Sequence, residues 1–353
     1  MRTDASSQNQ MKATFVDHTI MEERMLGRSI ATFIAGLGTT AVILATSLTI
    51  PAQAQDYPTR PVRVITGYPA GGGGDMLIRH YATGLETETG QRYIVENRPG
   101  ANGKIATDAV IAASPDGYTL FIFGSAGVAG NLFLLKEPGY DPTTDLITAA
   151  TLTASGFFLT VGADSPFENM KALMDGLKSK SGTIKYGAST NVSIAASEEF
   201  LRAADLKATR VAYKTMGDAV RDVAAGQTDF LIADAAFAMA QAKEGRLRIL
   251  AATTPERMPS APEVPTMIEE GLADFIFTPR VFAWFPKDTP ADIVEKTAAQ
   301  LREIAASEET AKFLELNGAV PSLTASSVEA ADVLKQDIEM WKRVTAAAGL
   351  EAQ

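Results

Sequence analysis

The sequence predicts two α/β domains that face each other, and three observations carry that prediction. Short β-branched runs alternate with helix-like stretches; the series strand, small-residue loop, helix, strand, helix, strand occurs twice; and two apolar runs, 157–161 and 281–285, are placed as crossings between the halves. In the first series, 62–66, 93–96 and 118–123 read as strands, with helices over 75–88 and 105–113. In the second, strands fall at 184–187, 209–213 and 229–233, with helices over 193–204 and 217–225. Two crossings make a hinge. Ala331, Leu334, Ile338 and Trp341 recur at helical spacing and lay one apolar stripe along a helix over 327–347, expected to dock on the first domain. The proline-rich stretch 255–265 reads as a surface loop. The expected bodies are residues 55–158 with 279–353, and residues 159–278.

Composition narrows the chemistry. The chain has 353 residues, 46% hydrophobic and 21% charged, the balance of a globular protein. With 32 basic and 42 acidic side chains its net charge is −10, which repels nucleic acid and anionic membrane surfaces. No cysteine is present, and the only histidines are His18 and His80, so disulfides, cysteine nucleophiles and cysteine-based metal centres are excluded. No cofactor or metal is expected.

Arg24 and Arg28 precede an apolar run at 30–50, followed by Pro51 and the small-x-small triplet Ala52-Gln53-Ala54. This is the layout of an export signal cleaved after Ala54, with Met25 a more natural start than Met1. An uncleaved anchor is the alternative, because the run approaches the ~20 residues that span a bilayer. The segment to Ala54 holds four basic and four acidic residues, so its removal leaves the charge at −10.

The strongest local signal is the loop Tyr68-Pro69-Ala70-Gly71-Gly72-Gly73-Gly74-Asp75, between a strand and a helix. Glycines let the backbone approach a ligand, and a helix start offers unpaired N–H groups at a positive dipole end, a setting for carboxylate or phosphate. A flexible turn capped by Asp75 is the competing reading. Nucleotide fingerprints fail on spacing: Met76 stands where a third glycine is needed. The loop 186–193 holds the equivalent place in the second half, with Ser193 as expected N-cap. A serine-hydrolase elbow fails there at Asn191, and His80 is the sole imidazole outside the leader. His80 reads as a packed or surface side chain. With only carboxylates and lysines available as acid or base, and no pair at a convincing spacing, an enzyme is not expected.

Many short motifs in order carry a resemblance: Tyr57-Pro58-Thr59-Arg60-Pro61, the 68–75 loop, Glu96-Asn97-Arg98-Pro99-Gly100, Pro115-Asp116-Gly117-Tyr118, Tyr186-Gly187, Tyr213-Lys214, Gly226-Gln227-Thr228-Asp229 and Val264-Pro265-Thr266. The chain resembles the Bug family of periplasmic solute receptors, the extracytoplasmic receptors of tripartite tricarboxylate transporters. The resemblance implies a two-domain periplasmic-binding-protein fold of type II topology, a Venus flytrap with two crossover strands, that closes on a small organic acid for a membrane permease. It implies a monomer with transient permease contacts; a receptor feeding a histidine kinase is the alternative. Carried onto this chain, ligand contacts fall on Tyr68, Ala70, Gly71, Gly72, Gly73, Gly74 and Asp75, and opposite them on Ser189, Thr190, Asn191 and Ser193. Asp75 matches an acidic residue that receives the ligand ammonium in some members, or else caps its helix. Departures bear on specificity: Ala188, Thr190 and Val192 stand in a loop usually richer in glycine, Asn102 replaces a glycine, and Arg280 falls where a tryptophan is usual. Arg280 either adds a carboxylate partner or is a solvated hinge charge.

Overall fold

The computed structural model describes residues 57–180, 182–273, 275, 277–350 and 352; the export segment expected at 1–54 lies outside them. Among the described residues no helix is long and apolar enough to cross a membrane.

The chain runs β1 (Val62–Thr66), α1 (Gly73–Thr89), β2 (Tyr93–Asn97), α2 (Lys104–Ile111), β3 (Thr119–Gly124), two short helices α3 (Ser125–Val128) and α4 (Asn131–Leu134), and β4 (Leu146–Ser155). It continues through β5 (Phe157–Gly162), α5 (Met170–Ser179), β6 (Lys185–Ala188), α6 (Asn191–Ala203), β7 (Thr209–Ala212), α7 (Met216–Ala224), β8 (Phe230–Asp234), α8 (Ala235–Lys243) and β9 (Leu247–Ala252). It ends with β10 (Arg280–Pro286), α9 (Ala291–Ala306), α10 (Glu308–Leu316), β11 (Ala319–Pro321) and α11 (Ser327–Ala347).

Two mixed sheets result, ordered β11-β4-β10-β3-β1-β2 and β7-β6-β8-β5-β9. Each contains a parallel triplet, β2-β1-β3 or β7-β6-β8, extended by an antiparallel strand, β10 or β5. The repeated grammar of the sequence is therefore a repeated topology. Its reason is local: β-branched and aromatic runs such as VRVIT fill strands covered on both faces, and crossover helices connect parallel neighbours.

β10 shows how the first core is divided. Val281, Ala283 and Phe285 pack among residues of α1 and α9, whereas Phe282 and Trp284 face Leu334 and Trp341 of α11. Each fully buried phenylalanine of this strand contributes about 1.5–3 kcal/mol through removal from water.

The crossings orient everything else. β4 ends beside the start of β10, with Arg280 opposite Ala154 and Val281 opposite Gly124, the last residue of β3. One residue later β5 opens with Phe157 opposite Asp234, the last residue of β8. The C-terminal ends of the parallel strands of both sheets thus turn toward the same junction, at Gly156, and the loops leaving them share that edge. The junction is tightly tied: Ser155 N–H donates to the Pro279 carbonyl (2.9 Å), Ala235 N–H to the Gly156 carbonyl (3.0 Å), and Phe157 N–H to Thr253 Oγ1 (3.1 Å).

Three expectations change. The first helix begins at Gly73 and not Asp75, because the last two glycines of the loop already adopt helical geometry behind Gly72. Within 255–265, Met258, Ala261 and Val264 are buried against the second sheet's helices, so this stretch is not a wholly exposed loop. α11 does pack on β4 of the first sheet, yet it also joins the second half, where Arg343 donates to the fully buried Glu199 of α6 (2.9 Å). An apolar stripe records that a helix is buried, not how many partners share it.

Candidate functional site

The loop after β1 is shaped by two glycines. Gly71 has φ +80°, in the left-handed region, and turns the chain back toward α1. Gly74 lies under the Tyr68 ring: a Cβ there would come within 2.5 Å of Tyr68 Cγ. The ring in turn meets Phe123 edge-on at 4.6 Å between centroids. Burial pushes the Tyr68 phenol up to about 12, so it stays a neutral hydroxyl, beside the Cα of Gly124.

Asp75 is 3% exposed and its carboxylate is engaged inside the loop. Gly71 N–H donates to Oδ2 (2.8 Å), Arg79 Nε to the same oxygen (3.0 Å), and Asn97 Nδ2 to Oδ1 (2.8 Å). Asn97 also donates to the Tyr68 carbonyl (2.9 Å), which ties the end of β2 to the loop. Burial works against the charge, but Arg79, Gly71 and Asn97 outweigh it and hold the carboxyl down at about 2. The expectation that Asp75 caps its helix is corrected. The N-cap is Gly72, which has no side chain to cap with, and the carboxylate braces the loop from the third helical position with its oxygens on protein donors.

That brace leaves the backbone donors available. Among the described residues, the N–H groups of Gly72, Gly73, Gly74 and Asp75 donate to no protein acceptor, as expected for a first helical turn. A Cβ at Gly73 would meet nothing within 4 Å. Pro69 and Ala70 are exposed beside them.

The second loop is built differently. Thr190, not Ser193, is the N-cap of α6: Ser193 N–H donates to Thr190 Oγ1 (3.1 Å), and Thr190 N–H donates back to Ser193 Oγ (3.1 Å), a reciprocal capping box. Ser193 Oγ also accepts from Ser189 N–H (3.3 Å) and donates to the Thr190 carbonyl (2.9 Å), so this buried hydroxyl serves the loop itself. Asn191 and Val192 keep N–H groups without a protein acceptor among the described residues. Ser189 Oγ lies 3.9 Å from the sulfur of Met216, which brings the start of α7 to the same place. Thr215, the N-cap of α7, and Met216 are additions that sequence reasoning missed; Thr215 three residues before Asp218 was the available signal.

Arg280 is not a freely solvated hinge charge. Its guanidinium pairs with Asp337 of α11, and its N–H donates to Ser125 Oγ (3.3 Å) at the start of α3. His80 is packed on another flank: Nε2 hydrogen-bonds Thr310 Oγ1 at 2.8 Å and the ring stacks on Phe313 at 4.4 Å. Among the described residues no group of three or more His, Asp or Glu side chains is placed to hold a metal ion. Each loop thus offers backbone donors at a helix start, a chemistry suited to an anion without a basic pocket.

Comparison with known proteins gives a consistent answer. The model of the tripartite tricarboxylate transporter family receptor matches residues 77–350. A UPF0065 protein of Bordetella bronchiseptica is 30% identical over 325 residues, covering 90% of this chain and 95% of its own. Among solved structures, R. palustris Rpa4515 with adipate is similar at TM-score 0.69 and 26% identity, over 84% of this chain and 100% of that one. The periplasmic binding protein BugD is similar at TM-score 0.65 and 27% identity, over 84% and 100%.

Proposed function

Since the chain belongs to the tripartite tricarboxylate transporter receptor family, we propose that it is an exported receptor that closes two lobes over a small organic acid and hands it to membrane permease subunits. The observation that carries this reading is the set of unengaged N–H groups at the starts of α1 and α6, on strand ends that turn toward one junction. Gly72, Gly73, Gly74 and Asp75 give N–H donors from one side, with Tyr68, Ala70 and Gly71 walling them. Asn191 answers from the other side, with Ser189, Thr190 and the capping box around Ser193 setting its angle. Adipate in a relative of the same fold is an acid of the class this arrangement suits.

Magnitudes support it. A hydrogen bond to a charged group contributes roughly 1.5–3 kcal/mol, and a helix start up to ~2 kcal/mol when partly buried. Four or five such contacts sum to roughly 6–15 kcal/mol, a range that spans the roughly 8 kcal/mol of a micromolar complex. A net charge of −10 does not prevent this, because dipoles within a few ångströms outweigh screened charges beyond about 10 Å.

In this reading the body carrying the first sheet and the body carrying the second, expected to divide near 158 and 279 and parting at Gly156 ahead of β5, move against each other, the leader is removed after Ala54, the receptor is a monomer, and no acid is turned over. Small-angle scattering with and without saturating adipate tests it. A monomer whose radius of gyration falls on adding an acid that calorimetry shows to bind is expected; binding with an unchanged radius would overturn closure.

A further inference from the structure

Arg280 opens β10, the strand between β3 and β4, and both faces of that strand are covered: Val281, Phe282, Ala283, Trp284 and Phe285 are all buried. The Arg280 side chain nevertheless retains 21% exposure. Arg280 is the first residue of the strand and so stands at its end. That end is the edge of the site: Arg280 N–H reaches Ser125 Oγ, and its carbonyl and the Tyr68 hydroxyl lie 4.0 Å and 2.6 Å from the point where a Cβ on Gly124 would sit.

Behind it the guanidinium is anchored. Asp337 of α11, fully buried, accepts from Nη1 through Oδ1. Its other oxygen, Oδ2, is buried without a hydrogen-bond partner. A guanidinium carries five N–H donors in a rigid fork, and the pair with Asp337 uses one of them. A solvated hinge charge has no need of a buried carboxylate, whose desolvation is costly. A donor that must be held at one angle does.

Resting on the receptor reading above, we propose that Arg280, oriented by Asp337, is the specificity-determining cation of the site and takes the second acid group of a ligand whose first carboxylate sits on the N–H groups of the glycine loop. Asp337 acts as the positioning residue. The site then measures the number and separation of acid groups, which backbone donors at one helix start cannot do alone.

The test is calorimetric titration of the purified protein with acids matched in carbon number: succinate against butyrate, glutarate against valerate, adipate against hexanoate. The wild-type protein is expected to bind at least one diacid about tenfold or more tighter than its partner, the factor a charge-assisted pair supplies. Arg280→Gln is expected to bring that ratio to about one while leaving the monoacid affinity in place. Because Arg280→Gln leaves Asp337 buried and unpaired, the double variant Arg280→Gln/Asp337→Asn and the charge-retaining Arg280→Lys are measured beside it. Asp337→Asn is expected to reduce the ratio with Arg280 still present, an effect that a merely structural role would not produce at an unchanged monoacid affinity. Unchanged ratios in folded Arg280 variants, or no discrimination by the wild type, overturn the inference and leave the receptor reading standing. Binding of neither acid type by the wild type overturns the receptor reading, and the inference with it.

Discussion

Replacing Gly73 by aspartate separates folding from binding, because the two are predicted to move in opposite directions. Gly73 is the first residue of α1, and a Cβ there meets nothing within 4 Å. A side chain in place of glycine in a helix gains about 0.5–1 kcal/mol, and an acidic group in the first turn adds about 0.3–1 kcal/mol through the helix dipole. Gly73→Asp is therefore expected to stabilise the protein by about 1 kcal/mol, a rise in Tm of roughly 2–4 °C. The same carboxylate lies among the donors assigned to the ligand. Loss of two charge-assisted hydrogen bonds at about 1.5–3 kcal/mol each weakens binding by at least about 3 kcal/mol, more than a hundredfold. Gly73→Asn, of the same shape without the charge, is the control and should retain more of the affinity. Gly74→Ala supplies the contrast: its Cβ falls 2.5 Å from Tyr68 Cγ, so it lowers Tm, with an overpacking cost of about 1–3 kcal/mol. Scanning calorimetry and isothermal titration read both quantities. Near wild-type affinity in Gly73→Asp would refute the assignment of the loop, whatever its stability.

The Asp75 carboxyl is depressed to about 2 in the folded protein, so its contribution is present above the ordinary carboxylate pKa and is lost as pH falls toward 2. Allowing for the half-exposed Arg79 partner, Asp75→Asn should cost about 1–2 kcal/mol at pH 7 and very little at pH 2, measured by urea unfolding across pH. Burial lowers the His80 pKa against the pull of Glu309, so the unfolded chain takes up the proton first and stability falls as pH drops below about 6.5. His80→Phe should flatten the stability profile between pH 7 and 5; an equally steep profile in the variant would remove His80 as its cause. Thr190→Ala removes the N-cap of α6 and should cost about 1 kcal/mol in Tm measurements while also weakening acid binding, since the cap sets the direction of the Asn191 and Val192 N–H groups.

What could be read from the sequence followed the range of the forces involved. β1 and α11 fall at the residues their periodicity marks, because apolar spacing within one element needs no knowledge of its partner. β4, with the pattern LITAATLTAS, carried little alternation: it lies between two strands with helices over its faces, so threonine and alanine fill both sides. The glycine loop was legible as a turn that opens a helix with free N–H groups, but the fate of the Asp75 side chain was not. Its carboxylate is decided by Asn97, 22 residues away, as well as by its neighbour Arg79. The same holds more strongly for Arg280, whose partner Asp337 is 57 residues on and could be found only once β10 and α11 were packed together. In the second loop both hydroxyls were seen and their order was inverted. A capping box is reciprocal, and a Thr and a Ser three apart satisfy each other whichever begins the helix.

The most direct test of the account is a thermal-shift titration of the purified protein against mono- and dicarboxylic acids, amino acids and sugars, with mass spectrometry of the denatured protein to detect acid carried through purification. A ligand at 100 times its Kd stabilises by about 2.7 kcal/mol, a shift of several degrees. The account predicts that carboxylic acids, competing with one another, raise Tm, that sugars do not, and that Gly73→Asp abolishes the response. A ligand-free protein whose Tm no acid raises, or one stabilised by uncharged solutes alone, would contradict it.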